Sequence, residues 1–145
     1  MTDDDLIDRF DLRARLRFCM DSGNIWFDEN RMLLLHARAV GALRRELFNS
    51  LGQERARALL VRMGFASGQQ DAELAKKLVG DGALEDVFLL GPQLHSLEGL
   101  VHVTTIRSDL DLKQGRFYGE FRWDNSWEDE VHIGVAVRPH AGARD

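Results

Sequence analysis

An α+β fold, helical in the middle with antiparallel strands at both ends, is expected from three features of this 145-residue chain. Short extended segments rich in aromatic residues open it. Leucine and alanine at intervals of three and four residues fill the middle, the period of a helix with one buried face. A run rich in Val, Thr and Ile, then a segment of alternating aromatics, comes near the end. No internal repeat is visible, and strands and helices do not alternate as they would around a parallel sheet. With 44% hydrophobic residues the chain is the size of one ordinary domain and can bury a core.

The elements follow in order. Leu16-Arg17-Phe18-Cys19-Met20 and Ile25-Trp26-Phe27 flank Asp21-Ser22-Gly23-Asn24, a turn-forming cluster, and predict an N-terminal β-hairpin. Asp28 is a plausible N-cap for a long helix carrying Met32, Leu35, Ala39, Leu43, Leu47 and Leu51 and ending at Gly52. A second helix carries Ala56, Leu59, Leu60 and Met63 up to a break at Gly64. A shorter one covers Asp71 to Leu78 and stops at Gly80-Asp81-Gly82. After a break at Gly91-Pro92, Leu100 to Leu112 and Phe117 to Trp123 form a C-terminal antiparallel hairpin around Lys113-Gln114-Gly115-Arg116.

Composition excludes several functions. A net charge of -5 and a pI near 5.5, with arginines dispersed among acids, do not suit a protein that grips phosphate backbones. One cysteine, Cys19, can form neither an internal disulfide nor a multi-thiolate metal site. No apolar run is long enough to span a membrane, and the acidic start Met1-Thr2-Asp3-Asp4-Asp5 is unlike a secretory signal, so a cytoplasmic location is expected.

Candidate chemistry centres on Gly91-Pro92-Gln93-Leu94-His95 and on Trp123 in Gly119-Glu120-Phe121-Arg122-Trp123. Indole N–H only donates a hydrogen bond, whereas neutral imidazole donates at one nitrogen and accepts at the other. Together they could serve a phenolic hydroxyl in both directions, Trp123 donating to its oxygen and His95 accepting its proton. Residues two apart on a strand share a face, so Phe117, Gly119, Phe121 and Trp123 point the same way. That face suits either packing beneath a helix or the wall of a pocket, with Gly119 leaving space between two rings or marking a close approach. The other histidines, His36, His102, His132 and His140, show no zinc-ligand spacing, and no metal site is expected. Ser67 in Gly64-Phe65-Ala66-Ser67-Gly68 sits one place too late for a nucleophile elbow. The acidic run Trp127-Glu128-Asp129-Glu130 suits a solvated face better than a general base, so no enzyme is expected.

The segments Arg31 to His36, Leu43 to Leu47, Leu51 to Arg57, Met63 to Gly68, Asp71 to Ala75, Gly91 to Gly99 and Gly115 to Phe121, with Trp123, together resemble the N-terminal sensory domain of the XylR/DmpR-type sigma-54-dependent transcription activators of aromatic catabolism. The resemblance runs from about residue 16 to residue 133. It implies a receptor that binds phenols or alkylbenzenes and relieves repression of a neighbouring ATPase. It places His95 and Trp123 at the hydroxyl, with Phe88 and Phe121, and also Leu97, as apolar wall. Retention of both polar groups favours phenol or a small substituted phenol, since each group left unpaired in a dry pocket costs about 1–3 kcal/mol.

The family domain ordinarily continues into a 4-vinyl-reductase-like module with structural zinc, an AAA+ ATPase and a helix-turn-helix domain. None of these is found in this sequence, so neither a zinc cofactor nor direct nucleic-acid binding is expected of it. The expected organisation is an N-terminal extension over 1–15, the sensory domain over 16–133 and a divergent tail over 134–145. Because the missing module supplies part of the pocket in the family, an open site and an affinity no tighter than micromolar are expected. A homodimer is expected as well: the resemblance puts the N-terminal hairpin, with Phe18, Ile25, Trp26 and Phe27, at the subunit contact. An interaction module with no ligand of its own is the rival function, and a small enzyme acting on phenolics a distant alternative.

Overall fold

The computed structural model describes residues 8–127. The acidic run beyond Trp127, His132, His140 and the tail over 134–145 lie outside the described residues. The architecture is α+β, as expected: an N-terminal antiparallel sheet, three helices and a C-terminal antiparallel hairpin.

Strands β1 (Leu16–Cys19) and β2 (Asn24–Phe27) form the expected hairpin, joined by one turn of 3-10 helix at Met20–Ser22 and a left-handed Gly23. A further strand, β3 (Asn30–Met32), pairs with β2 so that Ile25 faces Met32 and Phe27 faces Asn30. Asp28 is therefore not a helix cap. It sits at φ +50° in the β2–β3 turn, where its carboxylate accepts two hydrogen bonds from Nη1 of Arg15, at 3.0 and 3.2 Å. The first helix, α1, starts only at Ala37 and runs to Leu51.

Helix α2 (Gln53–Val79) is continuous over 27 residues, about 40 Å at 1.5 Å per residue, and absorbs both the expected break at Gly64 and the expected separate helix. Nothing in the described structure crowds Gly64 or Gly68, and both hold helical geometry. Glycine weakens a helix by about 1 kcal/mol without ending it. Gly52, at φ +76°, does end α1, as its sequence position indicates.

Helix α3 (Leu84–Leu97) contains Gly91-Pro92, expected as a break. Proline removes one backbone hydrogen bond, but Leu89, Leu90, Gln93 and Leu94 are all buried on one face of the helix, and that packing outweighs the local preference. Past its end, β4 (His102–Asp111) and β5 (Arg116–Asp124) pair antiparallel. The register steps by one residue at a bulge, Thr105 facing Phe121 and Arg107 facing Glu120.

The core joins the N-terminal segment and sheet to α2 and α3. Leu12, Phe27, Ala75, Val79, Leu90 and Leu94 are buried together, with Phe10, Leu16, Met32, Leu74, Leu78, Val87 and Leu97 packed around them. Residues 9–15, expected as an extension, thus belong to the domain. Leu12 has no exposed surface, and Arg9 is ion-paired with Asp86 on α3. Phe27 is only 1% exposed and so cannot lie on the outer surface with the other three residues assigned to a dimer contact. Phe18 is exposed, and Ile25 and Trp26 are half-buried.

Candidate functional site

The last turn of α3 aims His95. Glu98 caps the helix and Gly99 takes φ +75°, so that Gly99 N–H donates to Ser96 C=O and Leu100 N–H donates to His95 C=O. This paired closure needs a left-handed residue, which glycine adopts without the Cβ penalty. Two side chains of the same helix then fix β4. Ser96 Oγ accepts from Val103 N–H at 2.9 Å, and the buried Gln93 amide donates to Val103 C=O at 3.4 Å. Val103 is the register partner of Trp123.

Helix and hairpin are in this way set so that the rings of His95 and Trp123 lie 6.0 Å apart between centroids, tilted by 49°. At the other end of the same face Phe88 stacks on Phe117, centroids 4.5 Å apart and planes 13° apart. Phe121 lies between them on β5, half-buried. Four residues picked out in the sequence therefore lie along one aromatic face between α3 and β5: His95, Trp123, Phe88 and Phe121. This face is open to solvent, with Trp123 60% and Phe88 42% exposed. Gly119 leaves no vacancy there. A Cβ at that position would come within 2.6 Å of the Phe121 ring and 2.9 Å of the Phe117 ring, so both rings lean over the glycine.

Leu97 lies elsewhere. Two residues beyond His95, it is turned about 200° round the helix and lines a groove of about 360 Å³ between the N-terminal sheet, α2 and α3. Phe27, Met32, Leu74, Leu94, Asp71 and Glu98 line the same groove. A larger hollow of about 540 Å³ is rimmed by Arg15, Arg17, Asp28, Glu29 and Lys77. Its charged rim does not suit an apolar ring.

Sequence reasoning did not single out Asp71 and Glu98, which stand behind His95. Asp71 reaches in from α2, and Glu98 lies one turn beyond His95 on α3. Nδ1 of His95 is 3.5 Å from Oε2 of Glu98, and one donor atom from each of the three residues lies within 4.8 Å of the others. Burial, and then the Glu98 carboxylate, push the Asp71 carboxyl up to about 6. Contact with Glu98 raises His95 above its ordinary value, against the opposing effect of burial. The available signal was the stripe Asp71, Ala75, Val79, which puts an acid on the buried face of α2.

Fold and site define an α+β domain with an aromatic face between a helix and a hairpin. The chain belongs to the family described as activator of aromatic catabolism, whose model matches residues 11–111. Among curated proteins it is 43% identical over 125 residues to the phenol regulator MopR of Acinetobacter guillouiae, covering 85% of this chain and 22% of that protein. It is 40% identical over 135 residues to the transcriptional regulatory protein XylR of Pseudomonas putida, covering 91% of this chain and 24% of that protein. The chain thus spans less than a quarter of either relative's length. It is also similar to the crystal structure of the phenol-responsive sensory domain of the transcription activator PoxR with phenol. There the TM-score is 0.81 at 46% identity, over 92% of this chain and 69% of that one. Among the described residues no helix is long and apolar enough to cross a membrane.

Proposed function

We propose that this chain is an effector-sensing domain of a cytoplasmic transcription activator and that it binds phenol or a small substituted phenol in the cleft between α3 and β5. The observation that carries this reading is the convergence of His95 and Trp123 at the end of an otherwise aromatic face. The Trp123 indole N–H donates to the phenolic oxygen, and His95 accepts the phenolic proton. Phe88 and Phe121 contact the ring. A hydroxyl-free ring would leave both polar groups unanswered, which sets the preference for phenol over toluene. The domain acts as a receptor, so phenol is expected back unchanged after incubation with the protein.

Calorimetric titration with phenol and toluene, alongside His95→Ala and Trp123→Phe, tests this. Phenol binding in the micromolar range or weaker is expected, reduced about tenfold or more in each variant, with little toluene binding. Equal binding of both compounds would remove the polar pair from recognition.

Self-association is a second reading, favoured by exposed apolar side chains: Phe18 on the hairpin, Leu33, Leu34 and Leu35 before α1, and Val61, Met63 and Phe65 on α2. A homodimer through these surfaces predicts that sedimentation shows two copies for the parent chain and a shift toward monomer for Met63→Ser/Phe65→Ser. Trp26→Ala tests the hairpin's share of the contact.

A further inference from the structure

The cluster behind His95 bears on which of its nitrogens meets an effector. Imidazole has two nitrogens and, when neutral, one proton, so the group facing one nitrogen decides what the other can do. Here Nδ1 faces acceptors. Glu98 Oε2 is 3.5 Å away, and Asp71 adds a second carboxylate from the facing helix. All three atoms involved, Asp71 Oδ2, His95 Nδ1 and Glu98 Oε2, are buried and have no hydrogen-bond partner. Asp71 itself is only 8% exposed. Ionised carboxylates accept but cannot donate, so a lone pair on Nδ1 pointing at them would be repelled, whereas an N–H there is attracted to them.

We propose that Glu98, backed by Asp71, is a positioning residue that keeps the proton of neutral His95 on Nδ1 and so leaves Nε2 as the acceptor for an effector hydroxyl. The effector part of this statement rests on the reading above; the proton's position does not. With Trp123 able only to donate and Nε2 able only to accept, the pair selects a group that both accepts and donates, which is a hydroxyl and not an ether.

The test is nitrogen NMR of imidazole-labelled protein above the titration range of His95, together with calorimetry using phenol and anisole. Wild type is expected to show His95 protonated at Nδ1 and to prefer phenol. Glu98→Leu is expected to move the proton to Nε2 and to lower the phenol-to-anisole ratio about tenfold, whereas Glu98→Gln, whose carbonyl still accepts, restores both. A wild-type spectrum with the proton on Nε2 would overturn the proposal. So would equal loss of phenol and anisole in Glu98→Leu, the mark of a merely structural role, or a bound divalent cation released by that substitution, since Nδ1 would then be a ligand. If neither compound binds wild type, the functional reading falls while the nitrogen spectrum still decides where the proton sits.

Discussion

Asp71 costs the fold stability at neutral pH, because its carboxyl is raised to about 6 from an ordinary 3.8. A group raised on folding stabilises most below its unfolded value, and that contribution is lost as pH climbs through the folded one. Asp71→Asn is therefore expected to be more stable than the parent at pH 7 by about 1–2 kcal/mol, and no more stable near pH 4, as read by urea denaturation across that window. Gly119→Ala makes the complementary case at the cleft. The added methyl displaces the Phe117 and Phe121 rings, so phenol affinity is expected to fall several-fold while the melting temperature changes little. His95 and Trp123 are candidates from their own chemistry, Phe88 and Phe121 only through the resemblance, and the structure sets all four along one face. Asp71 and Glu98 lie in distinctive stretches, but an acid on a helix usually faces water, and only the packing of α2 against α3 shows that these two do not.

At the scale of the element, the end of α3 fixes the cleft more than any strand does. Gly99→Ala forces a Cβ into the left-handed region and is expected to cost about 1–2 kcal/mol by chemical denaturation. It should also weaken phenol binding, because the same turn aims His95 and leads into β4. Ser96→Ala leaves the Val103 N–H without its side-chain acceptor and is expected to cost about 1 kcal/mol. Glycines also mark where the sequence was readable and where it was not. Gly52 and Gly80 take positive φ at helix ends, as expected of glycine at those places. Gly64, Gly68 and Gly91 lie inside helices, since burial at distant positions along α2 and α3 decided the outcome, and no local signal carries that information. Met32 went to a strand for a similar reason: Ile25 was there to pair with it.

Across the whole molecule, stability and sensing are joined through α2. Its C-terminal half supplies Ala75 and Val79 to the core and Asp71 to the cluster behind His95, whereas its middle is exposed. An effector that binds only the folded domain stabilises it by about 2.7 kcal/mol at a hundred times its dissociation constant. Phenol is thus expected to raise the melting temperature in proportion to the logarithm of its concentration, and His95→Ala to flatten that slope. The overall class was readable from the order of strand-like and helical patterns. Inclusion of residues 9–15 was not, because Leu12 is an isolated apolar residue whose burial depends on a pocket formed by elements far along the chain.

The bulge in β4 gives that strand an unusual tolerance to a change in length. Before it, Val103 and Thr105 share a face with Trp123 and Phe121; after it, Ser108 and Leu110 share that face with Gly119 and Phe117. Odd-numbered residues line the cleft side up to 105, and even-numbered ones from 108, which lets Ser108 donate to Glu85 at 2.8 Å. Removing Ile106, which is exposed and has no register partner, would join the two halves into one regular alternation. A single-residue deletion normally turns half a strand inside out; here it is the edit that every cleft-side residue survives.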